Sequence, residues 1–383
     1  MWTLIGTYNY ILYTDDMDFL QRNWEKYSGA VDYVLRKTTN KGLISVTGKR
    51  DWARWNQGGE NGEANMILYH TLITASKLAT WKGDQNASTI AFYANRAKTI
   101  KQRINTSLYD KVARAYKDST SHPDLHPQDA NALAILFDVA PSLAQKFNVS
   151  RSLLKNWRLY GPEPPELPGN ISPFISSLEL HAHFSIGETM RALDLLRRTW
   201  GWYLTHANGT QSTMIEGYRS DGTFGYRAER GYNKDPSYVS HSHGWSTGPT
   251  SALTNFIAGL DVLDRAGIRW SFKPQFGGLD FAEAGFTTKL GLFRAGWSKK
   301  KNLGGGYDVT INTPISTVGE ISLPALKGSA MLVLINNKTK DVQEDGIGVH
   351  FELPGGSYNI TVRSADMPES PQTGGSSWWW PWA

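Results

Sequence analysis

The chain has 383 residues, 40% of them hydrophobic and 12% aromatic, with 15 tryptophans and a net charge of +5. That is enough apolar material for two ordinary domains or one large one. Its 40 basic residues are spread among 35 acidic ones, and the tight run Lys299-Lys300-Lys301 reads as a solvated loop, which argues against a nucleic-acid partner. The absence of cysteine excludes disulfides and thiolate chemistry, and no apolar run is long enough to span a membrane.

Helical stripes come first along the chain. Leu4, Ile5, Tyr8, Ile11 and Leu12 share one face, as do Leu20, Trp24, Tyr27, Val31, Val34 and Leu35. Ala64, Ile67, Leu68, Leu72, Ala75, Leu78 and Ala79 make a cleaner stripe, and Leu253, Phe256, Ile257, Leu260 and Leu263 make a later one. Roughly nine helical segments are predicted before residue 268. From Trp270 the texture changes to short runs with strand bias at 281–286, 307–311, 331–335 and 349–353, punctuated by Gly, Asn and Pro, which predicts a small antiparallel β-sandwich. The expected organisation is a mainly α domain over residues 1–268, a β-sandwich over 269–365 and a disordered Gly-, Ser- and Trp-rich tail over 366–383.

Polar, aromatic-rich loops precede several of the apolar helices: 51–65, 126–131, 170–174, 212–218 and 241–249. Helices that alternately line a barrel would bring these loops to one mouth, where free helix N–H groups meet ligand oxygens. Glu216 stands out among them. It lies between Ile215 and Gly217-Tyr218, and a carboxylate in an apolar wall suits general acid–base work. The nearby Trp, Tyr and His suggest a sugar site, because aromatic faces stack on the C–H faces of a pyranose. The plainer reading makes Glu216 a helix cap and the histidines of His241-Ser242-His243 structural.

His181-x-His183 and His241-x-His243 invite a metal reading. Positions i and i+2 on a helix of 3.6 residues per turn point about 200° apart, which separates the first pair. The second pair has no evident third ligand, so no metal and no cofactor are expected. Asp129 and Glu179 are expected to cap helices or pair with arginine. Seven Asn-X-Ser/Thr sequons, at Asn86, Asn105, Asn148, Asn170, Asn208, Asn337 and Asn359, hint at a secreted ancestor, although no signal peptide is visible.

Six segments in order carry a family resemblance: Asp51-Trp52 with 59–69, 125–131, 172–174, 178–183, 215–218 and 241–252. Together they resemble fungal alpha-L-rhamnosidase-like enzymes of glycoside hydrolase family 78, over residues 2 to 300. The resemblance implies an incomplete alpha/alpha six-hairpin toroid followed by a small β-sandwich, and inverting hydrolysis of terminal alpha-L-rhamnosides. It implies that Glu216 is the general base and His243 a rhamnose contact. Asp51 and Trp52 would bind the sugar, the first through hydroxyls and the second by stacking, with Glu63, Asn65, Tyr218 and Trp245 as pocket neighbours. The partner would be a rhamnose-containing glycoside or polysaccharide, met outside the cell in the full-length ancestor.

The family's general acid lies in an Asp-rich Trp-Pro-Gly-Asp segment that these 383 residues do not contain. The expectation is therefore an N-terminally truncated chain, poorly active on its own. Glu60 or Glu63 could replace the acid only within hydrogen-bond reach of the glycosidic oxygen. The alternatives are an inactive carbohydrate-binding remnant and a six-hairpin glycosidase of other sugar specificity.

Overall fold

The computed structural model describes residues 1–48, 51–55, 57–83, 87–300, 306–326 and 330–365. The predicted disordered tail and the sequon at Asn86 lie outside them. The helical part runs α1 (Trp2–Thr14), α2 (Met17–Leu35), α3 (Gly62–Lys82), α4 (Ala87–Ser107), α5 (Gln128–Leu136), α6 (Leu143–Leu153), α7 (Pro173–Ser185), α8 (Thr189–Leu196) and α9 (Gly248–Ala252). Helix α8 continues through a π-helical stretch, Arg197–Gly201, to Trp202–Thr205, and α9 through Leu253–Ala258.

Alternate helices differ in what they bury. On α3 and α5 polar residues such as Glu63, Asn65, Gln128, Asp129 and Asn131 are buried alongside the apolar ones. The neighbouring α4 buries one stripe, Tyr93, Ala97, Ile100 and Ile104, and leaves the rest to water. Contacts link α1 to α3, α3 to α5, α5 to α7 and α7 to α9, while α2, α4, α6 and α8 each pack on an inner partner. This is the inner and outer ring of a hairpin toroid. Asn61 caps α3, its Oδ1 accepting from Ala64 N at 2.9 Å, and Gly83 ends that helix at φ 72°. Gly62 N in turn donates to Asp118 O at 2.6 Å, tying the start of α3 to the loop that leads to α5.

The C-terminal part comprises β1 (Leu260–Val262), β2 (Arg269–Phe272), β3 (Phe281–Thr288), β4 (Gly291–Lys299), β5 (Tyr307–Asn312), β6 (Val318–Pro324), β7 (Met331–Ile335), β8 (Lys338–Lys340), β9 (Gly348–Pro354) and β10 (Ser357–Ser364). They form a six-stranded sheet in the order β8-β7-β10-β5-β4-β3 and a four-stranded sheet in the order β9-β6-β2-β1. All neighbours pair antiparallel except β2 with β6. The sheet begins inside the segment read as helical. Leu260 was expected on the stripe of the last helix but pairs with Phe272 across β1 and β2. Gly259, at φ 86°, ends the helix, and a Cβ there would meet the Pro274 backbone at 2.4 Å. One apolar core joins the sandwich to the last hairpin: Leu180, Phe184, Leu193, Trp200 and Ile257 pack with Trp270, Phe272 and Trp297. The Trp297 indole donates to Ile257 O at 2.7 Å.

Candidate active site

Glu216 sits on a short extended segment clamped from both sides. Tyr218 and Arg219 pair antiparallel with Ile171 and Asn170, just before α7. Glu216 N donates to Ser240 O and His243 N to Met214 O, each at 2.8 Å, so the Glu216 and His243 loops lie together. Gly217 is required by a close approach: a Cβ on it would lie 2.5 Å from the Tyr226 ring. The Glu216 side chain is buried. Its Oε1 accepts from the Tyr232 hydroxyl at 2.7 Å, its Oε2 accepts from Ser240 N at 3.3 Å, and the Arg227 guanidinium stands 4.0 Å away. The apolar wall expected around it is therefore polar where the carboxylate ends, and Glu216 caps no helix.

An aromatic shelf extends from this loop. His243 lies 4.4 Å from Trp245, Trp245 stacks on Phe174 at 5.0 Å, and Trp2 meets Phe174 edge-on at 6.2 Å. Trp245 and Trp2 keep 36% and 40% of their surfaces exposed, so a ring face remains for a ligand. His241 is held elsewhere, accepting from or donating to the Tyr203 hydroxyl at 2.9 Å against Phe224.

Asp51 and Glu63 meet in a cavity of about 230 Å³, also lined by Met1, Trp2, Val46 and Gln57. Asp51 is exposed and accepts from Trp52 N at 2.8 Å and from Gln57 Nε2 at 2.9 Å. Glu63 is 1% exposed. Burial, followed by the charges of Asp129 and Asp51, pushes its carboxyl well above the usual range.

Behind the cavity lies a cluster that the sequence did not announce. The buried Arg54 guanidinium hydrogen-bonds Asp118 and reaches Asp129 Oδ2 at 2.7 Å, with Glu63 Oε2 at 3.6 Å. Glu166 completes it, accepting from Gln128 N at 2.9 Å and Asp129 N at 3.0 Å at the start of α5. Burial and then Asp129 push Glu166 up to about 8. Arg54 sits two residues after a predicted sugar-binding pair, yet nothing in its neighbourhood marks it. Its partners are 64 and 75 residues away.

Three expected pocket residues belong to the framework instead. Trp52 is 5% exposed, packs with Ile171 and Ile175, and donates its indole N–H to Asp129 at 3.2 Å, so its face cannot stack on a sugar. Asn65 is fully buried and holds Ile44 by its backbone, accepting from Ile44 N at 2.9 Å and donating to Ile44 O at 3.0 Å. Tyr218 is fully buried and donates to Tyr160 O at 2.7 Å. Each was expected at the pocket through the family resemblance, but each satisfies a distant backbone or buried acid.

The remaining candidates are also accounted for. Asp129 pairs with arginine, as its class suggested. Glu179 instead accepts from Trp157 Nε1 at 2.7 Å and Gln128 Nε2 at 2.6 Å, and lies 3.1 Å from His183 Nε2. His183 and His181 face different helices: the first contacts Ser150 Oγ on α6, the second Ser251 Oγ on α9. Of the sequons, Asn170 is buried with Oδ1 accepting from Arg227 N, and Asn105 bonds Lys101 O, Val139 O and the Tyr116 hydroxyl.

Residues 2–253 match the family model described as the bacterial alpha-L-rhamnosidase six-hairpin glycosidase domain. Among solved structures, the chain resembles alpha-L-rhamnosidase from Dictyoglumus thermophilum, with 19% identity and a TM-score of 0.66 over 94% of this chain and 39% of that one. It resembles Streptomyces avermitilis alpha-L-rhamnosidase complexed with L-rhamnose, with 21% identity and a TM-score of 0.67 over 92% and 31%. The native enzyme from Aspergillus terreus gives 16% and 0.66 over 94% and 38%. No curated protein matches the sequence. The chain thus spans between 31% and 39% of the length of these three structures, and at such identities the likeness is one of fold.

Proposed function

Since the chain belongs to the family of alpha-L-rhamnosidase six-hairpin glycosidase domains, we propose that it acts on terminal alpha-L-rhamnosides, with Glu216 as the base that activates water. The observation that carries this reading is the setting of Glu216. Its carboxylate is fixed by the Tyr232 hydroxyl and Ser240 N–H, and its loop is joined through His243 N to the aromatic shelf of Trp245 and Phe174. A fixed carboxylate beside a stacking surface can take a proton from water while the sugar ring lies on Trp245. His243, against Trp245, is placed to hydrogen-bond a hydroxyl of that ring. Inversion follows if the acid stands across the sugar, with roughly 6.5–9.5 Å between the carboxyls for the water.

These 383 residues hold no Asp-rich Trp-Pro-Gly-Asp segment, and turnover by this chain alone is proposed to be slow. An extracellular setting is proposed from the exposed sequons Asn208, Asn337 and Asn359.

The test is hydrolysis of an aryl alpha-L-rhamnoside, with the anomer of the first-formed rhamnose read by NMR. Wild-type protein should release the inverted sugar, and Glu216→Gln should lose a factor of about 10² to 10⁴. Undiminished turnover by Glu216→Gln would remove the assignment. A second reading, rhamnose binding without hydrolysis, draws on the same shelf. Sugar binding by both proteins with turnover by neither would favour it.

A further inference from the structure

The loop that follows Glu216 turns back onto it. Glu216 N donates to Ser240 O at 2.8 Å, and the Tyr226 ring occupies the space that a Cβ on Gly217 would need. These contacts hold the backbone. Two more hold the carboxylate, from the Tyr232 hydroxyl to Oε1 at 2.7 Å and from Ser240 N to Oε2 at 3.3 Å. A glutamate side chain is rich in rotamers, and a base has to present an oxygen to water within hydrogen-bond reach. The Tyr232 bond has the length of a charge-assisted one, strong enough to select a single orientation.

Tyr232 is itself held from behind. The Arg227 guanidinium carbon stands 4.8 Å from the centre of the Tyr232 ring, and its Nη1 lies 4.0 Å from Glu216 Oε1. One cation therefore faces both the ring that carries the hydroxyl and the carboxylate that accepts from it. The Arg227 backbone is left-handed, at φ 55°, a conformation that a residue with a Cβ keeps only where its surroundings impose it. Here Arg227 N donates to Asn170 Oδ1 at 3.1 Å, and Arg227 O accepts from Arg230 N at 2.9 Å and Tyr232 N at 3.4 Å. Asn170 is buried and pairs with Arg219 on the Glu216 segment. Gly231, at φ 113°, lets the chain pass the guanidinium, since a Cβ there would lie 3.0 Å from Arg227 Nη2. The circuit closes from Asn170 through Arg227 and Tyr232 to the carboxylate.

We propose that Tyr232 and Arg227 are positioning residues for the base. Tyr232 fixes the Glu216 carboxylate through its hydroxyl, and Arg227 fixes Tyr232 through its ring. This rests on the glycosidase reading above and adds to it the residues that make Glu216 effective. Both side chains are partly exposed, so either can be changed without opening a cavity in the core.

Tyr232→Phe keeps the ring against Arg227 and removes only the hydroxyl. It should lower kcat on an aryl alpha-L-rhamnoside by about 10- to 100-fold, the worth of a hydrogen bond to a charged group, with KM within about twofold. Arg227→Met should also lower kcat, and Arg227→Lys, which keeps the charge, should recover part of the loss. The decisive comparison, made at high enzyme concentration, removes the carboxylate first. In Glu216→Gln there is no base left to orient, so adding Tyr232→Phe should cost less than about a further twofold. A residue that only supports the fold would cost the same factor with or without Glu216. Turnover that Glu216→Gln lowers and Tyr232→Phe leaves unchanged overturns the positioning role while Glu216 stands as the base. So does a Tyr232→Phe loss that recurs at full size in Glu216→Gln. No hydrolysis by wild type overturns this inference and the glycosidase reading together.

Discussion

Replacing Arg54 by methionine should destabilise the protein strongly at alkaline pH and weakly at acidic pH. Arg54 is fully buried and bonds Asp118 on the loop before α5 and Asp129 within α5, with Glu63 of α3 close by. Methionine fills much of the volume but leaves the acids without a cation. Breaking a buried pair from one side costs about 3–5 kcal/mol. The stranded acids can escape by taking protons. For an ordinary aspartate that costs about 5.6 kcal/mol at pH 8 but about 1.5 kcal/mol at pH 5. The loss should therefore be about 3–5 kcal/mol at pH 8 and shrink to about 1–2 kcal/mol at pH 5. Urea unfolding followed by tryptophan fluorescence at both pH values reads this directly. A loss under about 1 kcal/mol at pH 8, or one of equal size at both pH values, would refute the reasoning about shared charge.

Further outcomes follow from the same geometry. Glu166, pushed up to about 8 from an ordinary 4.5, keeps a proton in the folded state that the unfolded chain releases, so its contribution is present at acidic pH and lost as pH rises from about 5 to about 8, by at most about 5 kcal/mol. Thermal midpoints should decline across that window and decline less in Glu166→Gln, and parallel profiles for the two proteins would count against it. On the acid side, burial holds His70, stacked 3.9 Å from Phe137, down at about 4. Its contribution should be lost as pH falls from about 6.5 toward 4, and His70→Phe should remove that slope in the same midpoints. Gly217→Ala should drive the Tyr226 ring away and cost about 1–3 kcal/mol, measured by urea midpoint, with a matching fall in rhamnoside turnover because Glu216 is adjacent. Trp245→Ala should raise KM for an aryl rhamnoside more than it lowers kcat, since the exposed ring supplies a stacking face.

What the sequence made legible were features local in chain. The stripes on α1, α2 and α3 and the strands β3, β5, β7 and β9 follow from periodicity. Glu216 stood out as a carboxylate in an aromatic-rich loop, whereas His243, Asp51 and Glu63 were expected at the site only through the family resemblance. Leu260 fitted the stripe of α9 because periodicity cannot register that Gly259 turns left-handed against Pro274. Trp52, Asn65 and Tyr218 were misplaced for a related reason. Their side chains answer the needs of Asp129, Ile44 and Tyr160, and Asp129 lies 77 residues from Trp52. Arg54 and Glu166 were missed because a buried ion cluster assembled from separate stretches of chain leaves no spacing to find, and Tyr232 because it reaches Glu216 from a loop 16 residues on.

The Trp297 indole anchored on Ile257 has a meaning for how such proteins are rearranged over evolutionary time. With Phe184, Leu193 and Trp200 sharing a core with Trp270 and Phe272, the sandwich has no clean seam at its N-terminal side. Recombination that swapped the sheets alone would tear open the last helical hairpin. A cut at residue 268 would part Trp270, Phe272 and Trp297 from Phe184, Leu193 and Trp200 and expose the core they share.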